Sequence, residues 1–373
     1  MDFFNWNLIF EPTIFSLRSV GLWPKHDSYT TDLYTLYATI CVSLFMYINT
    51  FFQAINIFVV EIDLQAVAQT LFVAEHIVAV LKISGLLNNT KKIKNLMKQL
   101  NDQRFQPKNT HQVEMIDNGL RLWKILYQTF QWGVLTFGTY WLSRPILENR
   151  HELPFFAWYP VDVDKSPFYQ IVYLYQVIAL FYIALAHLKL DLLSIGLMVY
   201  IGIQCDILCD NLKHVSGLSD LVDCIKHHKK ILRFSRDFNA FLGNIILGQF
   251  ITSVITIAIG LFNLSLTVPG SGEFFTLFTF TCIVTLELFL YCWFGNEVEI
   301  KSNNVPIAIY NSDWIAKSVQ LQKTSIFFLM RTQKYISINA FNLFPLSLRT
   351  FMGILRNSWS YFAVLHQMNS GQV

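Results

Sequence analysis

Long apolar runs separated by short polar stretches fill most of the chain between Leu33 and Met368. A helix needs about 20 predominantly apolar residues to cross roughly 30 Å of hydrocarbon, and seven stretches approach that length. The pattern therefore predicts an all-α membrane protein, with residues 1–373 forming a single domain of seven transmembrane helices. The predicted spans are 33–60, 64–86, 122–143, 166–205, 237–264 and 274–296, followed by a split seventh span with a cytoplasmic first half (305–332) and a second half (338–368).

Composition favours the same interpretation. Hydrophobic residues make up 53% of the 373 residues and charged residues only 14%, whereas soluble domains contain roughly 25% charged residues. The six cysteines fall in predicted spans or cytoplasmic loops, so no structural disulfide is expected. Cys205 and Cys209 are one helical turn apart, but two cysteines with scattered histidines are a weak metal-binding pattern, and we expect no metal site.

Lysine and arginine residues are concentrated in three of the predicted loops. Because loops rich in these residues stay on the cytoplasmic side, the N-terminus is predicted to be cytoplasmic and the C-terminus extracellular. The basic residues of these loops are Lys91, Lys92, Lys94, Lys98, Arg104 and Lys108; Lys213, Lys226, Lys229, Lys230, Arg233 and Arg236; and Lys301, Lys317, Lys323, Arg331 and Lys334. The orientation is opposite to that of a G-protein-coupled receptor, which remains the least favoured alternative.

Motifs of catalysis do not stand out in the sequence. We find no Gly-rich phosphate loop, zinc-binding helix motif or nucleophile elbow, so we expect no catalytic residue, no cofactor and no nucleic-acid partner. Charged residues inside the spans are costly and are usually paired or wet. Lys189 and Asp191 point to different helix faces and are not expected to pair, and Arg356 is expected to pair with Glu287 or Asp191 or to face a wide, wet vestibule.

Three stretches resemble the insect odorant receptors. "SYFAVLHQM" (Ser360–Met368) is similar to the terminal signature of insect chemoreceptors, and "YCWFGNEVEIKSNNVPIAIYNSDW" (Tyr291–Trp314) is similar to the segment that links spans six and seven of the odorant receptors. "LPFFAWYPVDVDKSPFYQIVYLYQ" (Leu153–Gln176) resembles their second outside loop. One departure is Tyr335, which follows Lys334 where the family has a proline.

The resemblance implies a ligand-gated, non-selective cation channel in the plasma membrane of a sensory neuron dendrite. Four subunits would surround one pore lined by the second half of span seven. The loop at 206–237 lacks the long insertion of the family's co-receptor, so this chain resembles a tuning subunit that forms a heterotetramer with the co-receptor. A gustatory-type homomeric channel shares the terminal signature and is the alternative.

The end of the last helix is the pore gate that the resemblance implies. Tyr361, Val364, Gln367 and Met368 are spaced to share one helix side. A ring of Val364 and Met368 side chains can keep a narrow pore dry and closed, and a ring of Gln367 amides can interact with a hydrated cation. Contact with lipid or with a neighbouring subunit is the alternative for each of these residues.

The ligand site, by the same resemblance, lies in the outer halves of spans two to six. Helical spacing selects three inward stripes on spans two, three and four. They consist of Ala68 and Phe72; Gly133, Thr136 and Tyr140; and Tyr173, Gln176, Val177 and Leu180. Mostly apolar walls with one or two hydroxyl groups suit a small, volatile, hydrophobic odorant, and the many aromatic residues favour a ring compound. Helix packing or lipid contact is the alternative for each position.

Overall fold

The computed structural model describes residues 4–26, 29, 31–59, 64–147, 153–163, 165–341 and 343–370, with only the backbone at 64–70, 144, 146, 244, 369 and 370. Nearly all of the regular structure is helical. The elements are α1 (Asn7–Ser19), α2 (Leu33–Cys41), a π-helical segment (Val42–Ile48), α3 (Asn49–Val59), α4 (Leu64–Asn88), α5 (Thr90–Leu100), a 3₁₀ turn (Gln103–Phe105), α6 (Thr110–Leu147), α7 (Phe168–Lys213), α8 (Leu218–Leu266), α9 (Gly272–Tyr310), α10 (Val319–Thr332), β1 (Asn339–Ala340), β2 (Phe344–Pro345) and α11 (Leu348–Ser370).

Five segments within the described residues are long and apolar enough to cross a membrane, as judged by length and composition. They are Leu33–Val59, Leu71–Asn88, Phe168–Lys213, Ile245–Leu266 and Gly272–Tyr310. Helices α6 and α11 carry more polar residues and fall outside this set. The all-helical membrane architecture is therefore present, whereas the count of seven spans and the orientation stay predictions.

Helix α7 is the centre of the bundle. Every residue from Leu188 to Cys205 is buried, as expected for a helix that is apolar on all sides. Helices α7, α8 and α9 contain 46, 49 and 39 residues, which makes each of them longer than about 58 Å at a rise of 1.5 Å per residue. Since hydrocarbon is only about 30 Å thick, each of these helices is longer than one membrane crossing requires.

An N-terminal helix that the hydrophobic pattern did not indicate packs on this centre. Trp6, just before α1, and Phe10 of α1 are buried against Tyr200 and Gly196 of α7. The Trp6 indole nitrogen also donates a hydrogen bond to the carbonyl of Phe105 at 3.3 Å. A Cβ atom at Gly196 would lie 2.7 Å from the Phe10 ring. The glycine thus lets α1 approach α7 closely.

The region before the C-terminus differs from the predicted split span. Residues 305–310 continue α9, so the predicted first half (305–332) is two separate helical pieces rather than one. The predicted second half (338–368) begins with a small β-hairpin, and α11 starts only at Leu348. Helix α8 stabilises this hairpin, because the amide of Phe341 donates to the Gly243 carbonyl at 3.1 Å. Pro345 disfavours helical geometry at the preceding residue.

Candidate functional site

A partly open cavity of about 180 Å³ lies between α4, α6, α7 and α9. Aromatic rings form much of its wall: Phe72, Phe130, Phe137, Trp141, Phe155, Phe181 and Phe280. We call this space the aromatic cavity. An apolar cavity of about 150 Å³ in another protein accommodates benzene, so the volume suits a single-ring molecule.

Contacts among the rings fix one end of the aromatic cavity. The Phe72 ring centroid lies 4.3 Å from that of Trp141 and 4.5 Å from that of Phe280. Trp141 stacks on Phe155 with a centroid distance of 5.7 Å, and its indole nitrogen donates to the Pro154 carbonyl at 3.2 Å. Rings held on three helices and one loop in this way form a rigid apolar wall.

The loop residue Phe155 is held over the cavity by a side chain of α7. The Gln176 amide nitrogen donates to the Phe155 carbonyl at 2.8 Å, and the Phe155 amide donates to the Gln176 side-chain oxygen at 2.9 Å. Gln176 also donates to the Tyr159 hydroxyl at 3.1 Å. Both hydrogen-bonding ends of the buried Gln176 amide are therefore used by the loop, and Gln176 positions Phe155.

The opposite end of the aromatic cavity is a cluster of charged side chains. The Lys82 ammonium lies 2.7 Å from Asp191 Oδ1, from Glu287 Oε1 and from His187 Nε2. The Tyr291 hydroxyl donates to Asp191 Oδ1, also at 2.7 Å. Buried charges are tolerated when they are paired and hydrogen-bonded in this manner.

His187, Asp191 and Glu287 also have the geometry of metal ligands. Their donor atoms lie within 4.8 Å of one another. However, the Lys82 ammonium makes a close contact with all three donors. The position that a metal cation would take among these donors is thus already occupied by the Lys82 ammonium. We therefore interpret the group as an ion cluster.

Glu75, one helical turn from Phe72, also lines the aromatic cavity. Its Oε1 atom is buried and has no hydrogen-bond partner among the described residues. The Thr256 hydroxyl of α8 interacts electrostatically with this carboxyl but does not meet hydrogen-bond geometry. A single hydroxyl donor would in any case satisfy only one of about four acceptor positions of a carboxylate. Glu75 therefore leaves an acceptor for a molecule in the cavity.

The structure distributes the nine predicted ligand residues over several environments. Phe72 and Leu180 line the aromatic cavity, and Gln176 acts from behind its wall. The Tyr173 hydroxyl donates to the Leu142 carbonyl, and half-buried Val177 is not among the lining residues. The side chain of Ala68 lies outside the described residues.

The predicted stripe on α6 is rotated away from the cavity. Thr136 and Tyr140 are exposed, and a Cβ atom at Gly133 would meet nothing within 4 Å. The residues that line the cavity from this helix are Phe130, Val134, Phe137, Gly138 and Trp141. Neighbouring residues differ by about 100° around a helix, so a shift of one position corrects the stripe. The Phe137–Trp141 pair, spaced i and i+4, is the signal that could have indicated the correct face.

The pairing of the charged residues inside the bundle excludes one of the two alternatives expected for Arg356, a pair with Glu287 or Asp191, and leaves the wet vestibule as a prediction. Asp191 and Glu287 bind Lys82, and Arg356 is exposed on α11 without either of them. Lys189 donates instead to the Tyr127 hydroxyl at 2.6 Å and to Gln131 at 2.7 Å. The expectation that Lys189 and Asp191 do not pair is confirmed.

Helix α11 has one buried side and one open side. Ile354 and Ser358 face the bundle, and the Ser358 hydroxyl donates to the Val254 carbonyl of α8 at 3.2 Å. The four predicted gate residues are exposed: Tyr361, Val364, Gln367 and Met368. The open side is available to a pore, a neighbouring subunit or lipid.

Helix α9 connects the aromatic cavity with the start of α11. Glu287 and Tyr291 belong to the ion cluster, and one turn further a Cβ atom at Gly295 would lie 2.5 Å from the Leu346 carbonyl oxygen. The Ser302 hydroxyl then accepts a hydrogen bond from the Ile336 amide at 2.7 Å. The stretch that resembled the odorant receptors thus contacts both the cavity floor and the segment leading into α11.

A helical membrane bundle with an apolar cavity between its helices is an architecture that can bind a small molecule. The sequence profile of the 7tm odorant receptor family matches residues 63–359, and the chain belongs to this family.

Similar proteins come from insects. The odorant receptor Or1 of Anopheles gambiae is 24% identical over 394 residues, covering 95% of this chain and 94% of that receptor. The odorant receptor 42a of Drosophila melanogaster is 31% identical over 149 residues, or 40% of this chain and 36% of that receptor. The structure of the insect olfactory receptor OR5 from Machilis hrabei in complex with eugenol matches with a TM-score of 0.89 at 18% identity, covering 97% of this chain and 98% of that chain.

Proposed function

We propose that this odorant receptor binds a small, hydrophobic, single-ring odorant in the aromatic cavity and opens a non-selective cation channel in the plasma membrane. The observation that carries the proposal is an aromatic-walled cavity whose volume of about 180 Å³ suits one ring. The OR5 receptor of similar fold was solved with eugenol, itself a ring compound. The N-terminus is cytoplasmic in this proposal.

We expect an odorant that carries a hydrogen-bond donor to bind more tightly than one without a donor. Glu75 Oε1 is a buried acceptor without a partner among the described residues, and leaving such a group unpaired is unfavourable. An odorant with an N–H or O–H group satisfies it while its ring packs against Phe72 and Trp141. A hydrocarbon of the same shape fills the cavity but leaves the carboxyl unpaired.

Opening of the channel follows from the contacts of α9. An odorant between Phe280 and Glu287 acts on the same helix that contacts Leu346 and Ile336 before α11. Because α11 presents Val364, Gln367 and their neighbours on its open side, a small movement of its base shifts these side chains at the pore. Four subunits, including the co-receptor, complete the pore in this proposal.

The experiment is whole-cell current in cells that express this chain alone, the co-receptor alone, or both, with G-protein signalling blocked. Small volatile phenols, indoles and aromatic hydrocarbons of matched size serve as the panel. A fast cation current that needs both subunits supports a tuning subunit, whereas current from this chain alone supports a homomer. A response abolished by blocking G proteins contradicts the channel.

Two neighbouring residues provide a matched pair for the cavity itself. Val134 lines the aromatic cavity, and Leu135 is exposed on the other side of α6. Val134→Trp fills the cavity and should raise the half-maximal odorant concentration by about tenfold or more, whereas Leu135→Trp should leave it unchanged. Equal effects of both substitutions would contradict the cavity.

The donor and the gate have their own variants. Glu75→Gln weakens the response to donor-bearing odorants more than the response to matched hydrocarbons. Val364→Ala and Gln367→Ala leave odorant potency nearly unchanged and alter resting current and ion selectivity. Gate variants with wild-type resting current and selectivity would place the pore on another surface.

A further inference from the structure

A second cavity, of about 280 Å³, lies between α8 and α10 and shares no lining residue with the aromatic cavity. We call it the basic pocket. It is lined by Ile225, His228, Lys229, Leu232, Arg233, Arg236, Phe328 and Arg331. Its base is apolar, since Phe328 is buried and Ile225 and Leu232 are half-buried, while the cationic side chains at its rim are exposed.

The charges of the basic pocket all have the same sign. Lys229, Arg233 and Arg236 follow one another at i, i+4 and i+7 on one face of α8, and α10 adds Arg331. Among the described residues, none of these four cations forms an ion pair. Two nearby acids are used elsewhere: Asp223 pairs with Lys226 and Asp102 pairs with Lys230.

The excess of positive charge in the basic pocket also affects the buried imidazole of His228. Burial, and secondly the positive charge of Arg331, lower the pKa of His228 to about 4. The ring packs against Phe328 with a centroid distance of 5.4 Å and has no hydrogen-bond partner among the described residues. A concave surface with four cations and an unused imidazole is complementary to an anion with several oxygen atoms.

The position of the basic pocket indicates which class of anion it binds. Arg236 directly precedes the predicted span at 237–264, so in the orientation proposed above the pocket opens at the cytoplasmic membrane surface. Basic pockets beside transmembrane helices on this side bind phosphorylated lipid headgroups, and arginine matches phosphate through two parallel hydrogen bonds. The apolar base suits the carbon ring or glycerol part of such a ligand.

We propose that the basic pocket binds a polyphosphorylated ring anion, of the inositol phosphate type, at the cytoplasmic face of the receptor. Occupancy neutralises the four cations and joins α10 to α8. Because α10 leads through the hairpin to α11, the bound anion stabilises the base of the pore helix.

The test uses the full-length receptor, alone and with the co-receptor, in nanodiscs of neutral phospholipid. Binding of inositol 1,4,5-trisphosphate is measured directly, and phosphatidylinositol 4,5-bisphosphate is incorporated into the nanodiscs in a second arm. We expect saturable binding that weakens by about a hundredfold in the Arg233→Gln, Arg331→Gln double variant, since each lost hydrogen bond to a charged group is worth about a factor of ten and each arginine loses at least one. Lys229→Gln should give a smaller loss.

The charge-matched control is the Lys91→Gln, Lys92→Gln double variant on α5, where both residues are exposed and away from the pocket. Binding that falls equally in both double variants would reduce the effect to net charge and overturn the site. If the soluble trisphosphate competes fully with the lipid, the anion alone is recognised; if only the lipid binds, the source is the membrane. Absence of binding of both probes, with loss of co-receptor assembly in the pocket variant, would overturn the proposal in favour of an acidic surface of the co-receptor.

Discussion

The aromatic cavity and the basic pocket contain similar numbers of charged groups but treat them in opposite ways. At the floor of the aromatic cavity, Lys82 is held between Asp191 and Glu287, so the protein neutralises itself. In the basic pocket, Arg233 and Arg331 lie together with no carboxylate among the described residues to pair with them. Burial is the cause of the difference, because the Lys82 side chain is 1% exposed whereas the pocket's cations reach water.

The ion cluster and the basic pocket have different roles, although both contain histidine and charged side chains. A buried cluster must be complete before any ligand arrives, since an unpaired charge in an apolar interior is very costly. A cluster at the surface can keep unpaired charges, because water solvates them until a ligand binds. The ion cluster at the floor of the aromatic cavity is therefore mainly structural, whereas Glu75 beside it keeps one oxygen without a hydrogen-bond partner among the described residues.

Removing the central cation of the buried cluster should have the largest effect. Lys82→Met removes the ammonium that Asp191 and Glu287 share and leaves only His187 and the Tyr291 hydroxyl beside the two carboxylates, which should cost about 3–5 kcal/mol in stability. We expect loss of surface expression and a lower melting temperature of the purified receptor. Lys91→Met, on the exposed face of α5, is the control and should be neutral.

A double variant tests whether that loss is electrostatic. Glu287→Gln added to Lys82→Met leaves Asp191 with His187, which lies 3.1 Å from it, and should restore part of the stability. If the double variant is no better than Lys82→Met alone, packing of the lysine rather than charge balance explains the effect, and the contrast between the two cavities weakens.

Gly295 lies between the two regions, and its substitution should have the next largest effect. A Cβ atom there meets the carbonyl oxygen of Leu346 at 2.5 Å, so Gly295→Ala must push the base of α11 away from α9. We expect a cost of about 1–3 kcal/mol and a reduced odorant-evoked current. Gly353→Ala on α11, where a Cβ atom meets nothing within 4 Å, is the matched control. Equal currents in both variants would argue against coupling through this contact.

Much of the fold was predictable from the sequence because apolar length alone identifies membrane helices. The runs that became α4, α7, α8 and α9 stand out in this way, and the stretch Tyr291–Trp314 pointed to the family. The inward face of α6 did not, because apolar and aromatic residues occur all around its second half. With no polar side to fix its rotation, the choice between Tyr140 and Trp141 depends on packing against α4 and the loop.

The ion cluster was beyond sequence reasoning for a different reason. Lys82 is separated from Asp191 by 109 positions and from Glu287 by 205, and each looks like an isolated defect in its own apolar run. Only the packing of α4, α7 and α9 brings them together. Likewise, Arg356 was the conspicuous cation available for pairing, but α11 turns it outward.

Acidification should destabilise the cytoplasmic end of the bundle by a moderate amount. Burial first, and neighbouring cations second, lower the pKa of His228 to about 4 and that of His227 to about 3. Both values lie below the unfolded value of about 6.5, so the stability is fully present above pH 6.5 and is lost as the pH falls toward 4. The slope is at most about 1.4 kcal/mol per pH unit for each histidine.

Melting temperatures between pH 7.5 and 5.0 measure this effect, and variants identify its source. His228→Leu should flatten the pH dependence, whereas His214→Leu, whose side chain is 73% exposed, should not. A bound polyphosphate in the basic pocket should also flatten it, because the anion offsets the field of Arg331. An unchanged slope in His228→Leu would show that other groups titrate, and the interpretation of the pocket's field would fail.

The smallest effect is expected where a basic residue near the pocket already has a partner. Although burial raises it, hydrogen bonding to Lys230 and the Arg104 amide holds the pKa of Asp102 below its usual range, so the pair adds stability above about pH 4 and loses it below. The pair is partly exposed, and such ion pairs contribute less than about 1 kcal/mol.

Asp102→Asn keeps an acceptor for the Arg104 amide, which donates to Asp102 at 3.0 Å, and removes only the charge. Its small loss in melting temperature should equal that of Lys230→Gln, and the double variant should lose no more than either single variant. Additive losses would mean that Asp102 and Lys230 act separately. Asp102 would then be available to offset the positive charge of the basic pocket. The difference in charge balance between the basic pocket and the aromatic cavity would be smaller.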